Sequence, residues 1–190
     1  MNCCRLHSRI LISFCVIITA VESFGPKSGP YDIILEKVTG CADEGTQQIQ
    51  FQKKFRSAGN GKLLLNEEIY VGVPVDENFK IHVELQKWGN GGYRPRFMQH
   101  TAKTCKTMWK LVPELIKSWL KAANIPYDED PCPLPAGNYS LKNWEVGLEL
   151  GVIPTMIYDK YRAVAPYYYK DIKVGCVMIY GEAVPKSSTG

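Results

Sequence analysis

From Phe79 to Leu85 the apolar residues Phe79, Ile81, Val83 and Leu85 alternate with Lys80, His82 and Glu84. That period of two turns one side of a strand toward a core and the other toward water. The run ends at Trp88-Gly-Asn-Gly-Gly-Tyr93, whose glycines permit positive φ, so the spacing predicts a hairpin returning through Arg94 to Thr101. Pro95 lacks an N–H and belongs on an edge strand or at a bulge. Further strands are predicted over Tyr31 to Cys41, Gln48 to Arg56, Lys62 to Val75, Tyr139 to Leu150, Thr155 to Ala165 and Ile172 to Val184. Short strands in this number and at this spacing suggest a mainly β sandwich.

The period changes between the hairpin and Cys132. Leu115, Ile116, Trp119, Leu120 and Ala123 form an apolar stripe, while Glu114, Lys117, Ser118 and Lys121 face away, which predicts an amphipathic helix. Pro113 would break one long helix but suits the first turn of a second, so a short helix near Cys105 to Lys110 is expected, followed by another from Pro113. Asn124 and Pro126 supply the stop. The proline-rich stretch from Tyr127 to Gly137 returns the chain to the sheet, and its three carboxylates, Asp128, Glu129 and Asp130, read as a solvated turn because no calcium-ligand spacing surrounds them.

The N-terminus alters the cysteine arithmetic. Arg5 and Arg9 precede a mostly apolar run from Ile10 to Val21, with small residues before a cut near Ser23, so 1–23 reads as a signal peptide and the chain as secreted. About 12 apolar residues are too few to cross a bilayer as a helix. Its removal takes Cys3, Cys4 and Cys15 and leaves Cys41, Cys105, Cys132 and Cys176, for which two disulfides are the natural reading. No Cys-x-x-Cys pair exists, and apart from a lone His100 and Cys105 neither His82 nor His100 stands at ligand spacing from a cysteine, so no metal site is expected. The roughly 167 residues left suffice for one domain with one core, read here over 24–184 with a disordered tail at 185–190.

The formal charge of +4 is spread thinly, without the dense basic, aromatic-interleaved surface that nucleic acid requires. Gly-x-Ser-x-Gly, His-Glu-x-x-His and a phosphate-cradling glycine loop are all missing, and His82 and His100 read as surface or edge residues, so no enzyme and no cofactor are expected. Asn138-Tyr139-Ser140 is an acceptor tripeptide for N-linked sugar at Asn138. Met108, Trp109, Trp119, Trp144, Met156, Tyr158, Tyr161 and Tyr167-Tyr168-Tyr169 concentrate large apolar bodies, several with polar tips, in the helical segment and the last strands. Such side chains suit the lining of a cavity for an amphiphile as well as an ordinary core.

The ordered set of Cys41 in a strand, the strand ending in Trp88-Gly-Asn-Gly-Gly-Tyr93, Cys105 in a helix, Cys132-Pro before Gly137-Asn138-Tyr139, and Cys176 in the last strand resembles the MD-2-related lipid-recognition superfamily. Its arthropod secreted branch, the insect chemosensory proteins related to the GM2 activator, is the most similar. The resemblance implies an immunoglobulin-like two-sheet sandwich with a short inserted helical segment, open as a cup for acyl chains or another hydrophobic ligand. It also implies the bridges Cys41 to Cys176 and Cys105 to Cys132. Phe79, Ile81, Val83, Leu85, Trp109, Leu115, Trp119 and Tyr158 are the expected ligand contacts. On this reading the protein is a secreted, non-enzymatic lipid carrier, with a role in chemosensation open to it. The alternative is a secreted modulator of a receptor or channel whose cavity is filled by its own side chains, and peripheral membrane contact is compatible with both.

Overall fold

The computed structural model describes residues 27–51, 55–59, 62–127, 132–146, 148, 150 and 153–187. The leader expected over 1–23 and the acidic turn lie outside them. In chain order the elements are β1 (Ser28–Gly29), β2 (Tyr31–Gly40), β3 (Ile49–Phe51), β4 (Phe55–Gly59), β5 (Lys62–Val71), β6 (Phe79–Gly89), β7 (Gly92–Ala102), α1 (Cys105–Leu111), α2 (Pro113–Ala122), β8 (Gly137–Val146), β9 (Met156–Ile157), β10 (Asp159–Tyr169) and β11 (Ile172–Pro185).

The alternating segment is β6, and Asn90-Gly91, at φ 49° and 81°, folds it back into β7. Positive φ at both central residues matches the twist of paired strands. Pairing therefore runs closer to the tip than the glycine run implied, with Trp88 opposite Tyr93 and Gly89 opposite Gly92. Pro95 lies on the edge strand where the register shifts, beside Arg96 at φ 60°. The expected helix pair is present. Thr104 Oγ1 caps α1 by accepting from the Thr107 N–H, 3.1 Å, and Pro113 opens α2. Asn124, at φ 53°, closes α2: the Ile125 N–H reaches the Leu120 carbonyl and the Asn124 N–H the Lys121 carbonyl, a paired stop that satisfies the last carbonyls.

Five strands form one antiparallel sheet in the order β2-β11-β10-β6-β7. Facing it, β5 pairs with β8 on one side and with β3 and β4 on the other, while β1 and β9 make a small separate ribbon. The fold class is thus mainly β, two antiparallel sheets with a helical insert. The main core lies between the sheets, with Leu35, Val38, Ala165 and Val177 from the first meeting Leu63, Leu65, Leu141 and Val146 from the second. On the opposite, outward face of the first sheet, Arg162 lies 4.8 Å from the Tyr93 ring centre and bonds Gln86 Oε1 at 2.8 Å through Nε, while Lys37 sits 4.4 Å over Tyr180.

Several boundaries differ from expectation: β10 runs on to Tyr169, β8 ends at Val146, β4 extends to Gly59, and three further differences have a visible cause. The strand expected to reach Val75 stops at Val71, and Val75 instead exchanges backbone hydrogen bonds with Leu134, 2.8 and 3.1 Å. The Thr155 segment is split at Tyr158 into β9 and β10. The tail expected to be disordered from 185 is held to Ser187, because Lys186 N–H donates to the Pro30 carbonyl (3.0 Å) and Ser187 N–H to Asp32 Oδ2 (3.1 Å).

Candidate functional site: an apolar cavity between the sheets

A cavity of about 300 Å³ opens in the space between the two sheets and the helical insert. The first sheet gives it Leu35, Val38, Phe79, Ile81, Tyr167 and Val177, and the facing sheet Phe55, Leu65, Ile69, Val71, Trp144 and Val146. Met108, Trp109, Leu115, Ile116 and Trp119 close it from the helices. The remaining wall includes Leu134 and both halves of the Cys105–Cys132 disulfide. Its volume is at the lower end of small-molecule sites, about 300 to 1,000 Å³. Among the described residues that line it, none carries a charge at neutral pH.

Local chemistry explains why each side chain faces inward. The α2 stripe packs on β8, where Trp144 Nε1–H donates to Ser118 Oγ, 3.0 Å, and Trp119 meets the Tyr139 ring edge-on at 5.3 Å. Tyr139 in turn donates its hydroxyl to the Pro135 carbonyl, and burial pushes that hydroxyl up. The disulfide fixes the start of α1 to the loop that enters β8, with Cα atoms 5.9 Å apart. The second bridge, Cys41–Cys176, ties the end of β2 to β11, Cα atoms 5.5 Å apart.

Tyr167 sits on β10 opposite Ile81 and Gly175, its ring stacked on Phe79 at 6.1 Å. Gly175 leaves little room there: a Cβ would stand 3.1 Å from Tyr167 Cδ2 and from the Ile49 carbonyl oxygen, so a larger residue would need its neighbours to give by a few tenths of an ångström. The Tyr167 hydroxyl is pushed up strongly by burial. Deep as it is, the residue keeps accessible surface because it borders the cavity.

Of the expected contacts, Phe79, Ile81, Trp109, Leu115 and Trp119 are brought together on this wall. Three lie elsewhere. Val83 packs against the main core, and Leu85 joins the separate cluster of Met156, Tyr161 and Ala183. Alternation gives the face of a strand but not the position along it, and β6 runs past the cavity into the neighbouring core. Tyr158, at the break between β9 and β10, donates its hydroxyl to the Pro30 carbonyl, 3.0 Å. The contributions of β2, β5 and β11 were not anticipated; in β5 the run Leu63-Leu64-Leu65 blurs the alternation that would have marked Leu65, Ile69 and Val71. His82 is occupied outside, its Nδ1 2.9 Å from Thr101 Oγ1. Asn138 is exposed on β8. Among the described residues no three His, Cys, Asp or Glu gather to hold a metal ion, and no helix is long and apolar enough to cross a membrane.

Fold and site together define a two-sheet β sandwich with an apolar internal cavity walled on one side by a disulfide-pinned helix pair. A family model described as "Protein of unknown function (DUF1091)" matches residues 80–161, from β6 through the helical insert into β10. This is less than half of the chain and marks that region as similar to the family. No curated protein matches the chain. A crystal structure of a Niemann-Pick type C2 protein from Japanese carpenter ant is similar at 16% identity over 85% of this chain and 96% of that one, with a TM-score of 0.26. At that score the likeness carries no argument, and the fold rests on the strand pairings above.

Proposed function

We propose that the protein is an exported, non-enzymatic carrier of a lipid or another small hydrophobic ligand. The observation that carries this reading is the cavity, because about 300 Å³ bounded by apolar side chains from both sheets and the helices is space that the core's own residues leave unfilled. Cores normally close to crystal-like density, so an apolar void of this size is costly unless something occupies it. Apart from the Tyr167 phenol, the described residues of the lining offer no acid, base or nucleophile, which supports a binding role. The two disulfides are compatible with an oxidising, extracellular setting, and the exposed Asn138 is accessible to a sugar. A chemosensory setting follows only from the sequence resemblance to the insect proteins.

The test pairs two measurements on protein from eukaryotic secretory cells: organic extraction followed by mass spectrometry, and titration with a fluorescent apolar probe. Co-purified lipid or saturable probe binding is expected. Trp119→Ala, which strips the largest side chain from the α2 wall, should weaken probe affinity about tenfold while the protein still unfolds cooperatively on heating. No extractable lipid and no saturable binding in the wild type would instead favour the receptor- or channel-modulator reading.

A further inference from the structure

The cavity's polar content is small enough to specify a ligand class, an inference that rests on the carrier reading. Trp144 spends its indole N–H on Ser118, and Trp109 and Trp119 add only neutral indoles. Lys117, 6.0 Å over the Trp109 ring, is substantially exposed and is held by Glu114 at 2.7 Å. The Tyr167 hydroxyl differs from the indoles in that it can both donate and accept a hydrogen bond, where an indole N–H only donates. None of the described residues hydrogen-bonds this hydroxyl, yet it is not among the side-chain oxygens that are both sealed from solvent and unbonded, as Thr39 Oγ1 is. It therefore keeps accessible surface, and for a residue stacked on Phe79 between the sheets that surface is the cavity.

We propose that the cavity takes an uncharged, chain-like ligand with one polar group, such as a long-chain alcohol, aldehyde or ester, and that Tyr167 Oη is the hydrogen-bond partner of that group. A carboxylate or phosphate drawn into this space would lose its hydration with no cation to replace it, a loss far larger than one neutral hydrogen bond returns. An alcohol or carbonyl oxygen needs a single partner, and a phenol can donate to it. Burial that pushes the Tyr167 hydroxyl up keeps it protonated, and so a donor, throughout the physiological range. Taking about 30 Å³ as the liquid volume of one water-sized group, the cavity has room for at least about ten such groups.

The test uses the full secreted protein and displacement of an apolar fluorescent probe by 1-decanol, decanoate and 1-chlorodecane, which share a chain and differ in the head. At pH 7.5 decanol should bind at least about tenfold more tightly than decanoate. Lowering the pH toward 5 should tighten decanoate alone, as the protonated acid becomes available. Tyr167→Phe, which removes one oxygen, should lower the ratio of decanol to chlorodecane affinity by about three- to tenfold. An unaltered ratio overturns the role of Tyr167. Decanoate binding within about twofold of decanol at pH 7.5 overturns the charge exclusion while leaving the carrier reading standing, and this wild-type comparison does not depend on how the variant folds. Failure of all three to displace the probe from the wild type overturns the carrier reading itself, and this inference with it.

Discussion

At the scale of single residues, the ion pairs of the described residues lie at the margins of the sandwich and leave the cavity lining uncharged, with Glu67 a buried carboxyl outside that lining. Asp159, where β10 begins, is the clearest case. Partial burial alone would raise its carboxyl, but the hydrogen bonds from Lys87 Nζ at 2.5 Å and the Lys160 N–H at 2.7 Å, with the Lys87 charge, hold it below the usual carboxylate range. Beside it the Tyr161 hydroxyl, which donates to the Ile157 carbonyl at 2.8 Å, is pushed up to about 12 by burial and then by the Asp159 charge. A carboxyl lowered on folding adds stability above its unfolded value of about 3.9, and that contribution is lost as pH falls toward the folded value. Asp159→Asn should therefore cost about 1 kcal/mol or less near pH 7. Its stability gap to the wild type should close below about pH 4. Urea unfolding of both proteins from pH 3 to 7 checks this, and a gap of undiminished size at pH 3 would mean that the pair contributes through packing and not through charge.

At the scale of elements, the helical insert is the part of the cavity that local sequence made legible. Its stripe, its proline start and its asparagine stop act within one or two turns, and Leu115 and Trp119 stand on the cavity wall as that stripe implies. Phe79 and Ile81 were legible for the same reason, since strand alternation is a local property. Val83, Leu85 and Tyr158 show where this reasoning stops: what a residue meets across the sandwich depends on pairing and twist between strands distant in sequence. The insert is also where a covalent bond touches the site. Cys105–Cys132 closes a loop with a sequence separation of 27, and in the chain-entropy model that contributes about 3.5 kcal/mol. Because both cysteines line the cavity, Cys105→Ser with Cys132→Ser should lower stability and also loosen the wall, so probe affinity should fall by more than the lost folded fraction explains. Affinity unchanged among folded molecules would limit the bridge to a stabilising role.

At the scale of the whole molecule, the first and last long strands are neighbours in one sheet, and Cys41–Cys176 fastens them across a sequence separation of 135. Pairs so far apart in sequence give no local signal, which is why the wall residues of β2, β5 and β11 were not singled out while the strands themselves were. The same separation makes this bridge the larger constraint on the unfolded chain, about 5 kcal/mol in the chain-entropy model. Small domains have only about 5 to 15 kcal/mol in total, so Cys41→Ser with Cys176→Ser should leave a protein near its unfolding threshold at 37 °C. A ligand that binds only the folded state adds stability by mass action, about 2.7 kcal/mol at a hundredfold excess over its dissociation constant. This bridge lies outside the cavity wall, so its loss should leave a site that still binds when folded. Saturating decanol should then restore a large part of the lost stability in the Cys41/Cys176 variant and much less in the Cys105/Cys132 variant, whose wall is loosened. Thermal unfolding of both variants with and without ligand reads the difference. Equal rescue would mean that the helix-pinning bridge does not shape the site, and no rescue of either would mean that the cavity does not bind the chain in the folded protein.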